Sequence, residues 1–502
     1  VAMVLVVMSV MGGFLDTVRE RARGLHSEIV LEAGTLQGVP YYEEFGDYLR
    51  REMPATVSMT TPVIYTYGIF RVPATKWTKA TQVQGIRLDD YVKVNTFGEG
   101  LHYDRYYPGT TNLGAQPMPV AGLDQGGRLR LPSDLEAANQ RWRKSATDAA
   151  EIAAYDEMPF SQAPFPRVTP PVFSQRVYLA DLDPPHYAGP KRYGIIAGCD
   201  LLFQRRKDGK FERYLARGAD VALALMPLTP TGNMLGEPPV KIQLRYVDDS
   251  RTGIYEIDSQ SVYVDFDMLQ HKLAMDPQPL ADGGFTPSRA NQLLIGLQEG
   301  VDLQAAKERI GGAWDDFTVK MASTASPTDL NAMNLAAVYT WEDLQRQFIA
   351  AVEKEKVLVT FLFALISMVA IVLVGCIFYM IVEKKTRDIG ILKSVGASGR
   401  GVAGLFIIYA GTVGLVGALL GTAIGSTVVW YINDIQDLLA WLNPQLRVWS
   451  PDVYSFDRIP NVVKVVDATA VASLAVIASV FGSLIPAWVA GRVWPVNALR
   501  YE

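Results

Sequence analysis

Three runs near the C-terminal end of the chain are apolar without interruption. Val357–Val382 is 26 residues without a charge, Val402–Ile432 is 31 and Ala468–Ala490 is 23. Each is longer than the ~20 residues that cross a ~30 Å hydrocarbon core. Helices of soluble domains average ~11–12 residues and keep a polar face, so these runs predict transmembrane helices. Val1–Met11 (VAMVLVVMSVM) is apolar but too short to span. It lacks a basic flank, and an amphipathic stretch follows it instead of a small-residue cleavage site. It reads as the outer part of a first span, over 1–14, truncated here; the h-region of a signal peptide is the alternative.

Between these spans the period changes. Ser27–Glu32 alternates like a strand, Tyr41–Met53 puts Phe45, Tyr48, Leu49 and Met53 on one helical face, and Val57–Val72 is rich in β-formers. The strand, helix, strand order returns at Asn291–Leu297, Asp302–Trp314 and Phe317–Met321. Two such units from distant segments are expected to pack as one subdomain. Arg192–Gln204, Ala219–Met226, Val240–Val247 and Gln260–Asp265 look like strands of a second, mainly β subdomain. Leu101–Pro190, rich in Pro, Gly and Tyr with one helix at Ser133–Ala154, reads as a surface insertion.

In Trp341–Lys356 the residues Leu344, Phe348 and Val352 fall at i, i+4, i+8, with no Gly or Pro before Val357. One helix is expected to run from this segment into the second span. Leu15–Leu25, with Val18, Ala22 and Leu25 on one side, extends the first span in the same way. Such paired stalks would carry membrane movement outward by mechanotransmission; an inert packing pair is the alternative.

Charge fixes the orientation. The loop Glu383–Gly401 carries five basic residues in 19, whereas Asn433–Asp467 carries three against five acids. Basic loops stay in the cytoplasm. The expected order is a large extracytoplasmic domain at 15–356, spans at 357–382, 402–432 and 468–490, a cytoplasmic loop at 383–401, an outer loop at 433–467 and a cytoplasmic tail at 491–502. The fold class is an α-helical membrane protein with four transmembrane helices and a large α+β extracytoplasmic domain.

Composition removes other classes. The 502 residues hold 47 Lys plus Arg against 52 Asp plus Glu, a formal charge of −5, with 49% hydrophobic residues. Disorder and nucleic-acid binding do not fit. Cys199 and Cys376 make no disulfide framework, and no Cys/His cluster asks for a metal. The acidic doublets Asp89/Asp90, Asp248/Asp249 and Asp315/Asp316 read as solvated turns, and His26, His102, His186 and His271 are scattered. Neither set makes a catalytic constellation, so no enzyme activity and no catalytic residue is expected in this chain. No phosphate loop G-x-x-x-x-G-K-[ST] occurs. Span three contains Gly404, Gly411, Gly414, Gly417, Gly421 and Gly425, which let helices approach closely. They are expected to pack span three on span four, with a dimer seam as the alternative.

The loop EKKTRDIGILKSVGAS, Glu383–Ser398, resembles the cytoplasmic loop of the FtsX-like permeases of type VII ABC transporters. SVMGGF at Ser9–Phe14, TGIYEIDSQSVYV at Thr252–Val264, VYTWEDL at Val338–Leu344 and PVNALRYE at Pro495–Glu502 are together similar to the lipoprotein-releasing LolC/LolE family. Gly12 stands where that family commonly has Asn, and the stretch 101–190 has no counterpart in its compact periplasmic domain.

The resemblance implies a permease subunit in the bacterial inner membrane that extracts lipoproteins and releases them to a periplasmic carrier. It also implies a separate ABC ATPase that binds ATP and Mg, leaving no cofactor in this chain, and a second permease copy or paralogue. Alternatives are an efflux permease of the MacB type and a signalling platform of the cell-division FtsX type that controls a wall hydrolase. In the loop, Ile389, Leu392 and Val395 at i, i+3, i+6 with the charges of Glu383, Lys384, Arg387 and Lys393 suit a short helix seated on the ATPase, with a solvated loop as the alternative. Gly396 is placed to end that helix in a left-handed cap. At the outer membrane boundary Met8, Met11, Phe14, Val352, Leu358, Phe361 and Leu362 are candidate contacts for acyl chains; ordinary helix packing accounts for the same residues.

Overall fold

The chain was obtained as a computed structural model describing residues 1–25, 27–73, 76–120, 122–123, 129–146, 152, 186–205, 211–213, 215, 217–226, 238–279, 284–442, 459 and 461–494. It divides into a helical unit, 1–19 with 346–451 and 456–502, and a sheet unit, 20–345 with 452–455.

Nine strands form the main sheet of the second unit: β1 (Ile29–Glu32), β2 (Val57–Val72), β3 (Trp77–Ile86), β4 (Gly194–Gly198), β5 (Asp220–Leu225), β6 (Val240–Ser250), β7 (Ser261–Asp265), β8 (Gln292–Leu297) and β9 (Ala337–Thr340). Their order is β5-β6-β4-β7-β3-β2-β8-β1-β9, and β5 also pairs with β2. That extra pairing closes β2, β5, β6, β4, β7 and β3 into a ring.

The expected second β subdomain is therefore part of the same sheet as the first. The cause is the length of β2: its 16 residues reach about 53 Å at ~3.3 Å each, enough for two sets of partners. Val57–Val63 pairs with β8, and Gly68–Arg71 pairs with β5.

Helices cover the sheet. α1 (Ala2–Leu25) opens the chain, α2 (Tyr42–Glu52) buries Phe45 and Leu49, and α3 (Leu303–Met321) buries Ala306, Ile310, Trp314 and Phe317. Phe45 meets Trp314 edge-on at 4.8 Å and Phe317 at 5.3 Å, a geometry that suits aromatic quadrupoles. Phe317–Met321, expected as a strand, is helical. Phe317 extends the apolar stripe of Ile310 and Trp314, so the helix continues as far as that stripe can be buried.

Three further expectations change. Arg192–Gln204 is not one strand: β4 ends at Gly198, and a helical turn, Cys199–Leu202, precedes a short strand at Phe203–Arg205. The helix expected at Ser133–Ala154 stops at Ser145 with an extended Ala146, and residues 147–151 and 153–154 lie outside the described set. Trp341–Lys356 is not one helix either. Thr340 and Asp343 close a capping box on Trp341–Leu344, Gln345 ends that turn, and the long helix starts at Arg346. The side chains of Val18, Ala22, Leu25, Phe348 and Val352, on which the stalk expectation rests, lie outside the described residues.

The stretch beginning at Leu101 is not wholly a surface insertion, and Asp248/Asp249 is not a solvated turn. Both aspartates are buried in β6. Asp248 accepts the backbone N–H groups of Tyr103 (2.7 Å) and Asp104 (2.9 Å) and the Thr111 hydroxyl (2.6 Å). It thereby caps the helix His102–Tyr106 from another element. Burial raises its pKa, while Arg217 and these donors oppose the rise. Asp89 and Asp90 instead sit in the first turn of the helix Leu88–Val94, and Asp315 and Asp316 are exposed on α3.

Asp248→Ala would leave buried donors unsatisfied, costing about 3 kcal/mol. For a unit of this size the thermal midpoint of the detergent-solubilised chain is expected to fall by roughly 4 °C. An unchanged midpoint would show that Asp248 does not anchor this segment.

The helical unit contains α1 as far as Arg19, α4 (Arg346–Lys384), α5 (Thr386–Ser394), α6 (Gly399–Trp430), α7 (Ile432–Leu442) and α8 (Val465–Arg492). Among the described residues three helices are long and apolar enough to cross a membrane: Ile349–Lys384 within α4, α6 and α8. They contain the predicted runs Val357–Val382 and Ala468–Ala490 in full and the run Val402–Ile432 as far as Trp430.

Glycines set how closely these helices pack. Gly414 of α6 lies against Ser479 and Val476 of α8, as expected of spans three and four. Gly421 and Gly425, however, face Val1, Ala2 and Leu5, so this part of the stripe seats α1 on α6. Leu5, Ser9 and Gly12 are buried on the same side of α1. A Cβ on Gly417 would meet no atom within 4 Å.

Candidate functional site

The loop between α4 and α6 is built as a fixed platform. α4 runs to Lys384, Lys385 interrupts it, and α5 starts at Thr386, whose hydroxyl donates to the Val382 carbonyl at 3.0 Å. At the far end Gly396 has φ +110°, in the region where glycine costs least. Gly396 N–H donates to Lys393 O (3.1 Å) and Ala397 N–H to Leu392 O (3.0 Å), the paired bonds of a Schellman cap. The sequence expectation for Gly396 holds in geometry. Ser398 then caps α6 by accepting the Gly401 N–H at 3.1 Å.

Two devices hold α5 against the helices beneath it. Ile389 is buried with Phe378 and Val382 of α4, Val402, Phe406 and Ala410 of α6, and Ala487 and Ala490 of α8. Lys393 Nζ donates to the carbonyls of Gly491 (2.9 Å) and Val493 (2.6 Å), capping the end of α8 with a cation where the helix dipole favours one. A Cβ on Gly399 would lie 2.5 Å from Gly491 O, so the start of α6 and the end of α8 touch backbone to backbone.

The outward face is apolar with a charged border. Ile391 is 48% exposed, Leu392 51% and Val395 85%, while Glu383, Lys384 and Arg387 are also exposed. Ile389 was expected on this face and lies on the opposite one. Ile391, which the sequence reading missed, takes its place. The spacing 391, 392, 395 is itself a helical i, i+1, i+4 face and was available as a signal. Lys393, expected to supply surface charge, acts as the clamp to α8.

The acyl-chain candidates occupy two helices of this unit. Met8, Met11 and Phe14 of α1 are partly buried, whereas Leu358, Phe361 and Leu362 of α4 are exposed. Val352 falls outside the described side chains.

In the sheet unit the segment TGIYEIDSQSVYV has a structural role. Asp258 Oδ1 accepts the N–H (2.8 Å) and hydroxyl (2.7 Å) of Thr252, and Oδ2 accepts the Gly253 N–H (2.8 Å). Cys199, Asp200 and Asp258 bring donor atoms within 4.8 Å of one another, a cluster the sequence reading did not find. Burial pushes the Cys199 thiol up and Asp258 to about 6, and the turn already occupies both Asp258 oxygens. This chemistry fits a neutral thiol beside a turn anchor.

Residues 360–494 match the model of the FtsX-like permease C-terminal family. The chain is 28% identical over 337 residues to the lipoprotein-releasing system transmembrane protein LolC of Xylella fastidiosa, covering 66% of this chain and 70% of that protein. LolC of Neisseria meningitidis is 27% identical over 291 residues, 57% of this chain and 63% of that protein. LolE of Haemophilus influenzae is 28% identical over 139 residues, 27% of this chain and 33% of that protein. The periplasmic region of MacB from Actinobacillus actinomycetemcomitans is 10% identical with a TM-score of 0.28, covering 66% of this chain and 97% of that one. This chain is a multi-pass membrane protein with an FtsX-like permease domain, related to the LolC and LolE transmembrane proteins.

Proposed function

We propose that this chain is the permease subunit of an inner-membrane ABC transporter that extracts lipoproteins and releases them to a periplasmic carrier, powered by a separate ATPase. The observation that carries the reading is the 337-residue similarity to LolC, which exceeds the whole helical unit and so takes in part of the sheet unit. An efflux or signalling role would need only the shared permease fold. α5 is the contact for the ATPase, through Ile391, Leu392 and Val395 with Glu383, Lys384 and Arg387 around them. α1 supplies a fourth span, the sheet unit stands outside the cytoplasm, and a second permease completes the translocation path.

Topology is tested with single cysteines on a Cys199→Ala, Cys376→Ser background. Ser394→Cys, exposed on α5, is expected to resist a membrane-impermeant maleimide in intact cells, while Ser133→Cys, exposed in the sheet unit, reacts. The reverse pattern would invert the orientation.

The cargo site follows from an energetic constraint. Each acyl methylene exposed to water costs ~0.8 kcal/mol, so chains leaving the bilayer need an apolar surface at its outer boundary. Leu358, Phe361 (62% exposed) and Leu362 offer one on α4, with Met8, Met11 and Phe14 on α1. A photo-crosslinking residue at position 361 is expected to capture a lipoprotein, identified by mass spectrometry, without ATP and to lose it when ATP is added. Crosslinks only to permease helices in both conditions would remove Phe361 from the path. Capture of a wall hydrolase or a small-molecule substrate instead would replace the lipoprotein reading.

A further inference from the structure

The sheet unit contains a cavity of about 40 Å3 lined by Arg192, Arg217 and Arg245, with Thr110, Gln116 and Gly194 among its other walls. No carboxylate lines it among the described residues. Arg192 and Arg245 share one countercharge, Asp220, while Arg217 acts on the buried Asp248. Arg192 Nη1 lies 2.9 Å and Arg245 Nη2 3.9 Å from the same Asp220 oxygen. Arg217 spends its Nη groups on Thr110, at 2.7 Å to the carbonyl and 3.1–3.2 Å to the hydroxyl, and stacks over Tyr103 at 5.6 Å.

Arg245 is the informative member. Its side chain is 7% exposed, Nη1 donates to the Gln116 carbonyl at 3.0 Å, Nη2 to the Pro190 carbonyl at 3.5 Å, and Nε has no acceptor among the described residues. A buried donor without a partner is uncommon in folded proteins and calls for a bound acceptor. A buried guanidinium with part of its charge uncompensated is costlier still. Burial lowers the Arg245 pKa; Asp220 opposes the shift and Arg192 adds to it, as expected where positive charge is in excess.

The backbone also keeps this space narrow. A Cβ on Gly194 would lie 2.4 Å from Asn112 O, so the cavity wall at that point admits only glycine. A water needs ~10–15 Å3 by this measure, so the space suits one small group of a few heavy atoms.

We propose that this cavity is an oxyanion site that takes a single carboxylate or phosphate group, held by Arg192, Arg217 and Arg245. The guanidinium fork presents paired N–H donors that match the oxygens of either group, and a charge-assisted bond to Arg245 Nε completes its coordination. The site is independent of the transport reading, since it depends only on the sheet unit's own residues.

The test is equilibrium dialysis of the full chain in lipid nanodiscs against radiolabelled inorganic phosphate and, separately, radiolabelled acetate, at ionic strength fixed with chloride. Saturable binding of one equivalent is expected, weakened at least tenfold in Arg245→Met and in Arg192→Gln. Tighter binding of acetate assigns the site to a carboxylate ligand, and tighter binding of phosphate to a phosphorylated one. If Arg245→Met fails to give a folded chain by circular dichroism, Arg192→Gln, at the more exposed rim, decides alone. No saturable binding of either probe, or binding equal in wild type and in the folded variants, overturns the proposal and leaves water as the partner of Arg245.

Discussion

Leu392→Asp is expected to abolish coupling to the ATPase while leaving this chain folded and inserted. Leu392 is 51% exposed at the centre of the outward face of α5, between Ile391 and Val395, so in the isolated chain the new carboxylate stays in water. Ile389 beneath and the Lys393 clamp to Gly491 and Val493 do not involve that face. In a complex the same carboxylate would be buried without a partner, costing several kcal/mol. A loss of about 4 kcal/mol is a ~10³-fold weaker association.

Co-purification of the ATPase subunit and stimulation of its hydrolysis should both fall to background, with the thermal midpoint of the permease unchanged. Ile389→Asp is the contrasting variant. Its carboxylate would enter the cluster of Phe378, Phe406 and Ala487, so it should lower the midpoint of the permease itself. Normal ATPase recovery and normal stimulation with Leu392→Asp would separate α5 from energy coupling.

How much of this was readable in the sequence depends on where each residue's partner lies. Apolar runs announce themselves because a membrane span satisfies its own backbone: the runs at Val357 and Ala468 fall inside long helices, and the run at Val402 fills one as far as Trp430. Gly396 was equally legible, because the left-handed cap is a local requirement. Ile389 was not: it is placed by packing on α4, α6 and α8, and the spacing i, i+3, i+6 cannot say which side of a short helix is buried.

Asp248 failed for the same reason at longer range. An acidic doublet reads as solvated, and only the fold brings the N–H groups of Tyr103 and Asp104 to it. The closed strand ring was invisible too, since the second set of partners of β2 is a matter of its length and bend. The three arginines of the cavity, at 192, 217 and 245, share no sequence pattern at all.

Gly482→Leu is expected to release α4 from α8 and to have the largest effect of any single change in the helical unit. A Cβ on Gly482 would lie 2.9 Å from Ile371 O, and one on Gly375 would lie 3.0 Å from Gly482 O, so the two backbones meet with no side chain between them. Most of α4 gains little from packing: Val357, Phe361, Val369 and Val372 all face outward, and its attachment is concentrated near Gly375, Phe378 and Val382. In lipid, where apolar surface gives no driving force, helices associate by close packing, so a leucine at this crossing removes the main contribution.

Cysteine pairs placed across the α4–α8 crossing should lose their crosslink in Gly482→Leu, and steady-state protein should drop several-fold through proteolysis. Gly482→Ala, whose Cβ would press on the Ile371 carbonyl and force the backbones apart by less than a leucine does, should be intermediate. Gly417→Leu is the control in the neighbouring helix, since its Cβ meets nothing within 4 Å and the fold of this chain should tolerate it. Should that control abolish transport without lowering protein level, Gly417 faces a second permease. Should Gly482→Leu retain both crosslink and abundance, the crossing does not hold α4 in place.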